Sequence, residues 1–179
     1  GFIEETGAAQ YYRDAKILTI YEGTTAIQAN DLVGRKTARD GGQTAKALAD
    51  QVAQTEHELL SNANADAQAV GRRLKAARLA FLDVVNFVAG NAKAQPNDVY
   101  AGSVPYLMLT GNLMAGWQMG RALLVALAQS AQGTDKAFMD AKVTTARFYA
   151  DHLLSRAPGV RDSIVEGAKC VTELSLEAF

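Results

Sequence analysis

Apolar residues recur along most of the chain at steps of three and four, the spacing of one face of an α-helix. The clearest stripe lies within 67–93, where Val70, Leu74, Ala77, Phe81, Val84/Val85 and Val88 follow one another by 4, 3, 4, 3 and 4. Residues 43–61 carry Leu48, Val52, Thr55 and Leu59 on one face, with Asp50, Glu56 and Glu58 elsewhere on the cylinder. Residues 136–156 align Phe138, Ala141, Thr145, Phe148/Tyr149, His152 and Leu153, and residues 160–178 align Val160, Ile164, Gly167/Ala168, Val171 and Leu174. The segment 101–131 is apolar over most of its circumference and is expected to be the most buried helix. No period-two run is long enough for a strand.

Turn-forming clusters separate these segments. They are Asn62–Asp66, Gln95-Pro96-Asn97-Asp98, Gln132-Gly133-Thr134-Asp135 and Ala157-Pro158-Gly159. Turns this short favour antiparallel neighbours, so the expected fold is all-α, an antiparallel helical bundle of about five helices over 43–179. Upstream, residues 3–12 read as a short helix with Ile3, Ala8 and Tyr11/Tyr12 on one side, and residues 13–23 as a connector with an Arg13–Asp14 ion pair. Residues 24–39 read as a helix ending in Arg35, Lys36 and Arg39 and stopped by Gly41-Gly42. The Asp40-Gly41-Gly42 break is the expected domain boundary, dividing 1–40 from 43–179.

Composition narrows the classes. The 179 residues are 49% hydrophobic and 21% charged, as in a globular domain with a sizeable core. A net charge of −1 gives no electrostatic case for nucleic acid or an anionic membrane. The single Cys170 forms no internal disulfide, which suits a reducing, cytoplasmic setting. It reads as a small core residue, Trp117 and the methionines read as core packing rather than a cofactor box, and His152 reads as a hydrogen-bonded packing residue. His57 and His152 have no metal-ligand spacing, and there is no Walker loop, Gly-x-Gly-x-x-Gly or nucleophile elbow. Segment 101–120, with Asn112, Gln118 and four glycines, reads as a buried helix rather than a membrane span.

Chemistry concentrates near the start, in Arg13-Asp14-Ala15-Lys16-Ile17-Leu18-Thr19-Ile20-Tyr21-Glu22-Gly23-Thr24-Thr25-Ala26-Ile27-Gln28. An apolar run ends in Glu22, Gly23 permits a bend, and Thr24 or Thr25 can cap the helix that follows. One carboxylate thereby stands beside a helix N-terminus, whose free N–H groups favour anions. Without further context Glu22 reads as a solvated loop acid helping a helix to start.

These residues, with Gly1-Phe2 and Glu4-Glu5-Thr6-Gly7 before them, resemble the last part of the catalytic region of acyl-CoA dehydrogenases. The motif-level resemblance covers roughly residues 1 to 40. The remainder resembles more loosely the extra helical tail of the longer members, methylthiopropanoyl-CoA dehydrogenases among them. The resemblance implies FAD-dependent oxidation of an acyl-CoA thioester to its 2,3-enoyl form. It places Glu22 at the general base, Gly23 against substrate, and Thr24, Thr25, Ala26 and Gly1 near FAD. It implies electron-transfer flavoprotein as acceptor and a homo-oligomer, with no metal. Because the chain starts at Gly1 and the family's N-terminal helical and middle β-domains are absent, the expectation is a fragment inactive on its own. The competing expectation is a non-catalytic helical interaction or oligomerisation module.

Overall fold

The computed structural model describes residues 3–19, 24–171 and 173–178. Among the described residues the structure is helical and contains no strand, as the periodicity predicts. The α-helices are α1 (Ala8–Lys16), α2 (Thr25–Asp31), α3 (Gln43–Ser61), α4 (Ala65–Asn91), α5 (Pro96–Ala101), α6 (Ser103–Ala131), α7 (Lys136–His152) and α8 (Ala157–Val165). Helix α4, about 40 Å long at 1.5 Å per residue, is the hub and packs against α3, α6, α7 and α8.

The α4 stripe is buried at every position the spacing singles out, from Val70 through Val88. Across from it lie Val52 and Leu59 of α3, and Leu109, Leu113 and Leu123 of α6. The turn before α4 caps as expected: the Asn64 Oδ1 accepts from the amides of Asp66 and Ala67 at 2.8 and 3.1 Å. The corresponding turn before α7 places Asp135 in the left-handed region with no side-chain cap.

Several expectations are corrected. Glu4–Thr6 is a separate 3₁₀ turn ended by a left-handed Gly7, and α1 begins only at Ala8 and absorbs the first part of the expected connector. Ile3, Tyr11 and Tyr12 are exposed, and Arg13 pairs with Glu4 at 3.6 Å rather than with Asp14. Pro96 opens a further short helix, α5, because its fixed φ suits a first helical turn, so α6 starts at Ser103. Helix α6 buries one stripe and exposes Val104, Met108 and Val125, so α4 rather than α6 is the more buried.

In α7 the expected inward face points outward. Phe138, Ala141, Thr145, Phe148 and His152 are exposed, while Val143, Ala146 and Ala150 face the core. His152 is exposed too, stacked on Phe148 at 4.4 Å. Helix α8 starts at Ala157, so the Ala157-Pro158-Gly159 break is a helix start, and it ends at Val165. Val171, Leu174 and Cys170 are exposed, not core. Glu56, expected on the outside, is buried between α3 and α4, where Arg78 Nε donates to it at 2.7 Å. Trp117 is half-buried and donates its indole N–H to the Thr55 hydroxyl at 2.9 Å.

Close helix approach sets the cost of side-chain additions. A Cβ at Gly116 would lie 2.6, 2.7 and 2.9 Å from three Leu154 side-chain atoms, and Leu154 is itself fully buried. A Cβ at Gly90 would meet nothing within 4 Å. Gly90→Ala is therefore expected to stabilise the fold by a few tenths to about 1 kcal/mol through helix propensity. Gly116→Ala should destabilise it by about 1–2 kcal/mol, overpacking outweighing propensity. Urea unfolding of the two variants checks the opposite signs.

Candidate active-site segment

The described part of the catalytic-looking stretch is the start of α2. Thr24 is the cap: the Ile27 amide donates to its Oγ1 at 3.4 Å and the Gln28 amide to its carbonyl at 3.0 Å. The first-turn amides of Thr25 and Ala26 have no intrahelical acceptor by construction. Thr24, Thr25 and Ala26 are all exposed, so this end of the helix opens away from the bundle. Gly1, Glu22 and Gly23 lie outside the described residues.

What holds α2 is behind it. Ala29 and Val33 are fully buried. After Asp31 the helix widens into a π-helical turn, Leu32–Thr37, a local irregularity of the kind often found near functional sites. Gly34 lets the Tyr100 hydroxyl lie on the backbone; a Cβ there would be 2.8 Å from it. At the end of the π turn Thr37 is fully buried, and its hydroxyl shares a 2.9 Å hydrogen bond with the Tyr106 hydroxyl of α6. Tyr106 packs against Phe81, ring centres 6.0 Å apart. Burial pushes its phenol above the ordinary tyrosine range, and the nearby Asp40 charge adds to this, so it remains a neutral hydrogen-bonding group.

Sequence reasoning passed over Thr37 and Tyr106 as anchors. Tyr106 sits on the 106, 109, 113 stripe of α6, which marks it as core, but its partner is 69 residues away. The chain then turns through Gly41 and Gly42, at φ 67° and 80°, values costly for any residue with a side chain. Asp40 secures the turn by accepting from the Gly42 and Thr44 amides, both at 2.9 Å.

The Asp40 carboxyl is held below its ordinary range, mainly by hydrogen bonding from the Thr44 side chain and then from the Thr44 amide. A group with a depressed folded pKa contributes stability above its unfolded pKa of about 3.9 and loses it as pH falls through the folded value. Asp40→Ala should therefore lower Tm at neutral pH. The gap to wild type should narrow as pH drops below about 4, as thermal melts across that range would show.

Ile3, Tyr11, Tyr12, Ile17, Leu18 and Ile27 are all exposed, with Leu18 at 81%. The segment leading into α2 thus carries an apolar surface that its own bundle does not cover. Among the described residues there is no group of His, Cys, Asp and Glu able to hold a metal ion. No described helix is long and apolar enough to cross a membrane.

An all-helical bundle entered through a threonine-capped helix is a shared architecture, and sequence comparison assigns it. Residues 42–175 match the family described as acetyl-CoA dehydrogenase C-terminal like, and residues 1–37 match the acyl-CoA dehydrogenase C-terminal domain. The chain belongs to the acyl-CoA dehydrogenase family, to its C-terminal helical region.

Among individual relatives, it is 51% identical to the 3-methylmercaptopropionyl-CoA dehydrogenase of Ruegeria pomeroyi, over 98% of this chain and 30% of that protein. It is 33% identical to the broad-specificity linear acyl-CoA dehydrogenase FadE5 of Mycobacterium tuberculosis, over 100% of this chain and 30% of that one. A butyryl-CoA dehydrogenase of Syntrophomonas wolfei is 31% identical over 100% of this chain and 30% of its own length. The chain therefore spans about 30% of the length of the relatives it matches.

Proposed function

We propose that the chain is the C-terminal part of an FAD-dependent dehydrogenase that oxidises an acyl-CoA thioester to the 2,3-enoyl-CoA. Residues 1–40 would close the catalytic helical domain, and residues 43–179 form an additional bundle that holds α2 in place. The observation that carries this is the Tyr21-Glu22-Gly23-Thr24 run, set directly before the threonine-capped start of α2 in a chain related to acyl-CoA dehydrogenases along its whole length.

In this reading Glu22 removes the proton α to the thioester carbonyl. Gly23 lets the backbone come close to the substrate. The hydroxyls of Thr24 and Thr25 and the first-turn amides of Thr25 and Ala26 form a donor set suited to the polar edge or phosphates of a flavin dinucleotide. Gly1 would add a backbone contact to the same group. The bound flavin supplies a hydride acceptor for the β-carbon. Electron-transfer flavoprotein as the onward acceptor and a cytoplasmic location belong to the same proposal.

The test is anaerobic addition of short- and medium-chain acyl-CoA to the full-length protein. Bleaching of the flavin absorbance with appearance of enoyl-CoA supports the reading. The 179-residue chain alone should bind little flavin and oxidise nothing, since it has only part of the site. A full-length protein that binds flavin but leaves every acyl-CoA unchanged would favour the non-catalytic interaction module instead.

A further inference from the structure

Helix α2 is held from one end. Of its own residues only Ala29 is buried, and Thr24 to Gln28 are all exposed. One alanine methyl offers little apolar area, so packing fixes the helix weakly about its axis. The holding contacts come later, in the π turn Leu32–Thr37 that continues it. Val33 and Thr37 are both fully buried there, and the Thr37 hydroxyl is bonded to that of Tyr106.

The spacing of these residues accounts for the π turn. Ala29, Val33 and Thr37 lie four residues apart. A regular helix advances about 100° per residue, so Thr37 would stand about 80° round from Ala29. Lys36 would instead come within about 20° of the buried line. The structure has the reverse, with Lys36 exposed and Thr37 inside. A π turn closes its hydrogen bonds one residue later and winds more slowly, which takes up the drift. It keeps the Ala29 face and the Thr37 anchor on one line, and it keeps a cation out of the core.

What secures the turn is polar and specific. The 2.9 Å hydroxyl pair joins it to α6, and the Tyr106 ring lies against Phe81 of α4. Downstream the chain is fixed independently. The Gly42 amide donates to the Thr37 carbonyl at 2.8 Å, and Asp40 accepts from the Gly42 and Thr44 amides. Loss of the hydroxyl pair, with relaxation of the turn toward a regular helix, therefore shifts the rotation to the weakly held side. That side is α2, and Thr24–Ala26 move with it.

We infer that Thr37 and Tyr106 are positioning residues: through the π turn they set the rotation of α2, and so the direction in which the Thr24 and Thr25 hydroxyls and the Thr25 and Ala26 amides point. This rests on the reading that those donors face the flavin. The anchor acts from a distance, roughly 19 Å along the axis from Thr24 at about 1.5 Å per residue. A helix free to rotate offers the donors for only part of the time. An apparent dissociation constant rises as that competent fraction falls.

The full-length flavoprotein supplies the test. Thr37→Val keeps the side-chain shape and removes its hydroxyl, and Tyr106→Phe does the same from the other side. Each should raise the dissociation constant for FAD at least tenfold and speed amide exchange in residues 24–31. Combining them should add less than about twofold, since both remove one shared bond. Thr37→Ser restores a hydroxyl and should return FAD affinity to within threefold of wild type.

The matched control is Thr55→Val. Thr55 is also a buried threonine bonded at 2.9 Å to an aromatic side chain of α6, Trp117, but it belongs to α3. Its loss should leave FAD affinity and exchange in 24–31 unchanged. Hydroxyl-free variants at 37 and 106 that hold FAD within threefold of wild type overturn the inference. So do unchanged exchange in 24–31, a Thr37→Ser variant as weak as Thr37→Val, and a Thr55→Val variant that loses FAD as readily. A wild-type protein that holds no flavin overturns the underlying reading, and this inference with it, before any variant is made.

Discussion

Glu22→Gln in the full-length enzyme is expected to lower acyl-CoA oxidation by about a thousand- to ten-thousandfold, in the range general-base removal costs, with flavin content unchanged. Glutamine fills nearly the same volume and keeps a hydrogen-bonding end, so the pocket and any backbone contact of Gly23 survive. What it lacks is a site to take a proton. The α-hydrogen of a thioester is weakly acidic, so the base must be ionised before substrate arrives and strongly basic afterwards. A free glutamate, with a pKa of about 4.3, satisfies only the first requirement. Burial of the carboxylate beneath an apolar acyl chain satisfies the second by disfavouring the charged form.

The activity of the wild type should therefore rise with pH on its acidic limb, with an apparent pKa higher in the substrate complex than in the free enzyme. The variant should lose that limb. Parallel measurement of flavin absorbance, KM and kcat separates the cases. Turnover within tenfold of wild type would place the base elsewhere in the protein and leave Glu22 as a wall of the pocket.

The parts of the fold legible in the sequence are those where one helix decides its own inward face. Helix α4 is surrounded by partners, its large apolar residues fall on one stripe, and that stripe is buried. Helix α7 was not legible for the same reason reversed. Its large residues, Phe138 and Phe148, and its small ones, Val143, Ala146 and Ala150, lie on opposite faces. Periodicity draws both stripes but does not say which one meets a neighbour. Close packing against α6 admits the small set, and the aromatic set is left outside.

Glu56 and Tyr106 were hidden by distance. A buried acid is readable only with its cation, which lies 22 residues on, and a buried phenol only with its Thr37, 69 residues back. Thr24, by contrast, caps α2 as a threonine after a glycine should, because capping is a local interaction. The motif around Glu22 was legible through family likeness. Local chemistry alone left it an ordinary acid at a helix start.

Arg78→Ala is expected to cost about 2–4 kcal/mol, and Glu56→Leu/Arg78→Met together less than about 1 kcal/mol. The two charges meet at 2.7 Å with side-chain exposures of 15% and 8%, so both have given up most of their water. Alanine removes the compensation and strands the Glu56 carboxylate between α3 and α4, which explains the large single-site cost. Removing both charges also removes both desolvation penalties, and Leu and Met restore the packing. For a chain of this size the single variant should melt roughly 5–15 °C below wild type, at about 2–4 °C per kcal/mol.

The pair of measurements decides what the ion pair contributes. If the double variant matches wild type, the pair adds little net free energy. Its remaining effect would be to penalise any sliding of α3 along α4 that separates the charges. Such a variant should then show broader thermal transitions and faster amide exchange in α3 at unchanged stability. If Arg78→Ala costs under about 0.5 kcal/mol, as an exposed pair would, water reaches Glu56 and the α3–α4 seam is looser than its packing indicates.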